Sequence, residues 1–335
     1  MSRGFSDGRR PRIAADRLRF LAFAAALAAV TVAAGGCGPR RAPTPSPKPS
    51  TEAEAEAEAR EAAAPRRRAR PVDDAPLPDM VELPAAELAR GDLDAGAPVL
   101  PRETVERFFL DATEVSAEAY EACVRAGACA AARRAPGCTA GDARRAQHPI
   151  NCVRWADADA YCRSVGKRLP TEAEWERAAR GAEGRRFVWG EAFPPPALTA
   201  NLADSSARRA RPYWNVIPGY DDGVVETAPV DAFRGGDRTH EGVVQLAGNV
   251  AEWVADAWEA DLAKRTPAQR AQLAAQKGAR LRVVRGASFG EDRPLELRAA
   301  RRQGLDAKAQ SVHVGFRCAR ATPPAAVEAP PAPRR

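Results

Sequence analysis

Six cysteines between Cys123 and Cys318, downstream of a leader that reads as an export signal, constrain this chain more than any other feature. An even number of cysteines in an exported chain predicts disulfides, because that compartment is oxidising. In a reducing compartment the same residues would point to metal ligation or free thiols. No two cysteines are spaced Cys-x-x-Cys, and His148, His240 and His313 are widely scattered, so no zinc site is expected. His148 precedes Pro149 in a turn and is not read as a general base.

The leader is legible residue by residue. Arg-rich Met1–Arg19 precedes an apolar run, Phe20–Ala34, that is too short to span a bilayer comfortably and ends in Ala34-Gly35-Gly36-Cys37. The small-small-Cys ending resembles a bacterial lipobox, in which Cys37 is diacylated and becomes the mature N-terminus. Residues 38–75 are rich in Pro, Ala, Glu and Arg and bury too little apolar surface to order themselves, which predicts an extended tether. We therefore divide the chain into a leader over residues 1–37, a tether over 38–75, one domain over 76–321 and a Pro/Ala tail over 322–335. The expected location is the cell envelope, lipid-anchored on the periplasmic or outer-surface face.

Charge argues against a nucleic-acid partner. The formal charge is +7, but residues 1–70 hold 14 Lys/Arg against 7 Asp/Glu, leaving 37 of each sign in the remainder. A neutral globular part has no bulk basic field to attract phosphates.

Short apolar pieces such as Arg107–Leu110 and Leu281–Val284 predict strands, while Ala156–Val165 and Thr171–Arg180 predict helices. Thr171 and Glu174 form a Thr-x-x-Glu capping box after Pro170. Trp175, Ala178 and Ala179 supply an apolar stripe, and Gly181 can close the helix. Gly-, Pro- and Asn-rich stretches separate these pieces, so the expectation is an α+β domain with few regular elements and much ordered loop. No internal repeat, phosphate-binding glycine loop or nucleophile elbow stands out.

Ordered blocks then carry a resemblance. Pro149–Ala158, Ala160-Tyr161-Cys162 and Gly166–Glu176 are followed by Val188-Trp189-Gly190, Asn201 and Thr227–Val230. Leu246–Trp253, Val284–Phe289 and Gly315–Cys318 complete the series, and Met80–Pro84 with Asp111–Val115 open it. The set resembles the formylglycine-generating enzyme (sulfatase-modifying factor) family over about Met80 to Arg320. The resemblance implies a C-type lectin-like α+β fold of low regular content and a disulfide joining Cys162 to Cys318. Short separation favours Cys123 with Cys129 and Cys138 with Cys152 as the remaining pairs.

It also implies calcium. Asn201 and Asp222 match side-chain ligands of one site, with Leu202 and Val224 at carbonyl positions; Glu252, Gly248 and Val250 match a second, where Gln245 stands in place of the family's Asn or Asp. Ca²⁺ takes six to eight hard oxygens, and amides, carboxylates and carbonyls suit it. A plain turn role for Asp222, beside Asp221 and Gly223, is the alternative.

The catalytic stretch departs from the family. Active members hold copper on two cysteines and oxidise a sulfatase cysteine to formylglycine, and those two positions here are Glu291 and Glu296. Thiolates are soft ligands suited to Cu(I) and carboxylates are not, so no copper is expected. Glu291 and Glu296, near Asp292 and Arg293, read as solvated surface rather than a new acid/base pair. The leading expectation is a non-catalytic module binding an unidentified protein or glycan at the envelope, with membrane contact through the anchor. The alternative is an enzyme, either a formylglycine-generating oxidase with relocated chemistry or another activity in the ancestral cleft.

Overall fold

The computed structural model describes residues 79–322 apart from Ala197 and Asp237. The leader with Cys37, the tether and the tail beyond Thr322 lie outside the described residues. Among the described residues no helix is long and apolar enough to cross a membrane.

Among the described residues the domain has three antiparallel or mixed sheets and five α-helices, joined by long ordered loops. Strands β1 (Met80–Leu83), β4 (Phe108–Asp111) and β9 (Ala319–Arg320) form the first sheet in the order β1-β4-β9. Strands β2 (Ala86–Leu88) and β3 (Glu103–Val105) form a two-stranded ribbon. The third sheet runs β7-β6-β5-β8, from β5 (Ala251–Ala257), β6 (Leu281–Arg285), β7 (Arg302–Asp306) and β8 (Val314–Gly315). Strand β5 is its organiser: Glu252 lies opposite Arg285 of β6 on one side and Gly315 of β8 on the other. The expected strands appear within a residue of their predicted limits, but the run after Asp111 leaves the sheet at Ala112. Glu114 is then fully buried and accepts from Asn249 Nδ2.

The helices are α1 (Ala117–Arg125), α2 (Trp155–Ser164), α3 (Glu172–Arg180), α4 (Ser205–Ala210) and α5 (Pro267–Ala275). Helix α3 starts as its sequence predicts: Thr171 Oγ1 accepts from Glu174 N at 3.2 Å, and Thr171 N donates to the Glu174 carboxylate at 2.8 Å. It ends on Gly181, whose φ of 67° a residue with a Cβ rarely adopts. The apolar stripe of Trp175, Ala178 and Ala179 is buried, but so are Glu172, Glu176, Arg177 and Arg180, which periodicity assigns to solvent. They are affordable inside because each is paired. Glu172 faces Arg285 at 2.9 Å and Arg302 at 2.7 Å, and Glu176 meets Arg285 at 3.1 Å and Arg180 at 2.9 Å. Burial opposes ionisation of Glu172, but Arg302, Arg285 and Arg90 outweigh it and hold its carboxyl down at about 2.

Two apolar clusters flank this network. One gathers Phe108, Trp175, Phe187 and Leu246, and the other gathers Tyr120, Tyr161, Trp253 and Phe316. In the second, Tyr161 stacks on Tyr120 at 5.6 Å and meets Phe316 edge-on at 5.5 Å. Beside these rings Cys162 is bonded to Cys318 with Cα atoms 5.6 Å apart, across 156 residues. In the chain-entropy model a crosslink closing so long a loop contributes roughly 5 kcal/mol. Cys123–Cys129 and Cys138–Cys152 are the other two bridges, with Cα separations of 5.4 and 5.7 Å. Every cysteine among the described residues is therefore oxidised.

Candidate functional site

The loop leaving β6 is Arg285-Gly286-Ala287-Ser288-Phe289-Gly290-Glu291, and two glycines give it its path. Gly286 has a φ of 78°, and a Cβ there would lie 3.1 Å from Trp175 and from the Leu246 carbonyl. A Cβ at Gly290 would strike the His313 ring at 2.8 Å, so glycine is what lets His313 close over the loop.

The result is a hydrogen-bonded run of three side chains. Glu291 Oε2 accepts from Ser288 N at 2.8 Å and from Ser288 Oγ at 2.5 Å. Ser288 Oγ lies 2.9 Å from His313 Nδ1. A hydroxyl has one proton, and the carboxylate is an acceptor only, so His313 Nδ1–H must be the donor to Ser288. Burial pushes the His313 pKa down despite the charge of Glu291, which favours the neutral ring with a bare Nε2. The Phe289 ring packs on His313 at 4.7 Å, Trp214 stacks near Phe289 at 6.3 Å, and the Arg211 guanidinium sits 4.6 Å over Trp214.

Glu291 and Glu296 occupy the two positions where the resemblance puts copper ligands, and neither is the solvated residue expected. Glu291 is half-buried and committed to Ser288. Glu296 is also half-buried and paired with Arg293 and Arg301. A hydroxyl and a backbone N–H reach Glu291, and two guanidiniums reach Glu296. Among the described residues no group of three or more His, Cys, Asp or Glu could hold a metal, and no cysteine is free.

The two candidate calcium sets differ. In the first, Asp222 is buried and accepts from Leu202 N at 2.8 Å and Val224 N at 2.9 Å. It enters no ion pair among the described residues, and burial, with Asp204 nearby, pushes its pKa up to about 7. Asn201 donates through Nδ2 to Glu226 O and Asn249 Oδ1, while its Oδ1 is buried with no partner. A carboxyl without a counter-ion and an orphaned amide oxygen are each the kind of donor that a hard cation takes. Asp222 thus does more than shape its turn, since it also ties the loop to Leu202.

The second set is built differently from the one implied. Glu252 is fully buried, and both its oxygens are used by Arg317, at 2.8–2.9 Å, with Trp175 Nε1 adding a contact at 2.9 Å. Arg317 also donates to the carbonyls of Asp111, Ala112, Val244 and Gln245. The guanidinium supplies the positive charge here, so Glu252 has no oxygen left for a metal. Gly248 and Val250 remain as backbone of the same loop, and Gln245 Oε1 is buried without a partner.

Sequence reasoning missed His313 and Arg317 as site residues. The available signal was their proximity to Cys318: a crosslink to Cys162 fixes that segment, and Gly315-Phe316-Arg317 runs beside Glu252.

The sulfatase-modifying factor enzyme 1-like domain family matches residues 65–322. Formylglycine-generating enzyme of Thermomonospora curvata is 38% identical over 191 residues, 55% of this chain and 58% of that protein. The inactive C-alpha-formylglycine-generating enzyme 2 of Mus musculus is 33% identical over 195 residues, 56% of this chain and 54% of that protein. The chain thus spans little more than half the length of these curated relatives. Among solved structures, PvdO from Pseudomonas aeruginosa superposes with a TM-score of 0.56 at 26% identity, over 72% of this chain and 94% of that one.

Proposed function

From the premise that this chain belongs to the sulfatase-modifying factor family, we propose that it is a non-catalytic member acting as a binding module at the bacterial cell envelope. The observation that carries the reading is the fate of the thiols: the copper-ligand positions are Glu291 and Glu296, and all six described cysteines are in disulfides. Formylglycine formation in the family needs thiolates, both to hold a soft metal and to exchange with the substrate cysteine, and a carboxylate does neither. Export through the Cys37 leader, lipid anchoring, and calcium on Asn201, Leu202, Asp222 and Val224 belong to the same proposal. The partner is a protein or glycan; calcium would order the loop that presents Tyr213, which is 82% exposed.

The run from His313 through Ser288 to Glu291 favours a second reading, an enzyme with hydroxyl in place of thiol chemistry. Against it, Ser288 is fully buried, so its hydroxyl does not face a substrate. The purified protein, incubated with Cu(I), oxygen and a peptide bearing Cys-x-Pro-x-Arg, is expected to yield no aldehyde. Aldehyde that disappears on mutating a domain cysteine overturns the non-catalytic reading, and aldehyde lost in Ser288→Ala instead supports the second.

A further inference from the structure

Away from the Ser288 loop, a cavity of about 420 Å³ opens between the β2-β3 ribbon, the start of α3, the end of β5 and helix α5. Its walls are part apolar, from Val105, Ala173, Pro267, Ala271 and Ala274. The alanines of α5 matter because larger side chains there would fill the space.

The polar part carries an unbalanced carboxyl. Asp256, 7% exposed, lines the cavity and accepts one hydrogen bond, from Glu172 N to Oδ2 at 2.7 Å. Its Oδ1 accepts none, and it enters no ion pair among the described residues. The two guanidiniums in the wall are engaged elsewhere. Arg90 reaches Glu103 at 3.0 Å, Glu172 at 3.4 Å and Glu176 at 3.5 Å, and Arg270 reaches Glu103 at 2.7 Å and the Arg265 carbonyl at 2.6 Å. Glu174 is occupied by Arg168 and its own helix cap, and Glu106 is exposed at the rim. A buried carboxyl without a cation is costly, and the buried Glu172, Glu176 and Glu252 are each paired with an arginine. Here the chain leaves a cavity.

We propose that this cavity binds an alkylammonium group, with the ammonium on Asp256 and the methylene chain along Val105 and the alanines of α5. Length and chemistry agree with that class. A lysine-like stem buries apolar surface at about 0.8 kcal/mol per methylene while its head needs one strong acceptor. A guanidinium or a metal would ask for a fork or several oxygens, and Asp256 offers one oxygen. Burial, reinforced by Glu172 and Glu174 and opposed by Arg90, pushes the Asp256 pKa up to about 7, so an arriving cation finds more of its carboxyl ionised as pH rises through neutrality. No residue of this cavity belongs to the Ser288 loop, so its occupancy is separable from the question of oxidation.

The test titrates the full-length protein with pentylammonium, its neutral isostere pentanol, cadaverine, and a peptide carrying lysine or acetyl-lysine, followed by calorimetry. Pentylammonium is expected to bind about tenfold or more tightly than pentanol, a gap of at least 1.4 kcal/mol. Its affinity should rise between about pH 6 and 8 as Asp256 ionises through about 7. Asp256→Asn preserves the acceptor for Glu172 N and should weaken binding about tenfold. Ala271→Trp, at an exposed position of α5, should block the cavity without touching the carboxyl. A lysine peptide that outbinds cadaverine and loses affinity on acetylation assigns the ligand to a partner chain, and the reverse order assigns it to a free diamine. Equal binding of pentylammonium and pentanol, no saturation at millimolar ligand, or unchanged affinity in either variant overturns the proposal.

Discussion

Asp222, in a loop, and Glu252, in β5, are both buried carboxylates that the family resemblance places at calcium, yet the chain provides a cation for one and not the other. Glu252 is clasped by Arg317, which is itself fully buried and spends its remaining donors on four backbone carbonyls. Among the described residues Asp222 accepts from backbone N–H donors and faces another carboxyl, Asp204, while Asn201 Oδ1 has no partner. The difference separates a structural ion pair from an opening for a ligand: where protein already supplies the charge, a metal has no work to do.

The comparison breaks most visibly at Arg317. Arg317→Met leaves Glu252 buried and unpaired, which destabilises a domain by about 3–5 kcal/mol. Chemical denaturation of the unreduced protein measures it. The double variant Arg317→Met/Glu252→Leu, which removes both charges, should recover most of the loss. If the single variant loses less than the double one, Glu252 is not held by Arg317.

Calcium sharpens the other half. At a Ca²⁺ concentration of 100 times its Kd, binding to the folded state alone adds about 2.7 kcal/mol. The melting temperature should rise with Ca²⁺ in the wild type and in Gln245→Ala, and not in Asp222→Asn or Asn201→Ala. Equal calcium responses in all four place the ion elsewhere.

The same carboxyl sets a pH dependence. Its folded pKa is raised from 3.8 to about 7, so without calcium its contribution to stability is fully present below the unfolded value and is lost as pH rises through about 7. Wild type minus Asp222→Asn, compared by thermal melts, should therefore fall between about pH 4 and 7, and saturating Ca²⁺ should flatten the slope. A difference that rises over that range contradicts the counter-ion-free reading of Asp222.

Thr171→Ala gives the smallest effect and calibrates the rest. It removes the acceptor for Glu174 N and should cost about 1 kcal/mol, well below the Arg317 effect. A loss as large as that of Arg317→Met would mean that the start of α3, rather than the ion pair, governs stability.

How much of this was legible in the sequence follows the range of the interactions. The cap of α3 is written in Thr171 and Glu174, three residues apart, and its closure in Gly181, because helix ends are decided within one turn. The Cys123–Cys129 and Cys138–Cys152 bridges are local in the same sense. Cys162–Cys318 required the family pattern, since nothing near either residue encodes a partner 156 positions away. The buried charges were not legible at all. Glu172, Glu176 and Arg285 look like solvated residues in any window of sequence, and only the pairing of β5 with β6 brings Arg285 under α3. Glu291 was read as surface for the same reason: His313 and Ser288, which enclose it, lie 25 residues apart.

The central claim is that thiol chemistry has been lost, and a count of free thiols in the denatured, unreduced protein tests it most directly. Peptide mapping after alkylation is expected to find Cys123, Cys129, Cys138, Cys152, Cys162 and Cys318 unmodified until reductant is added. Alkylation of two of them before reduction would reveal an exchangeable pair and contradict the account.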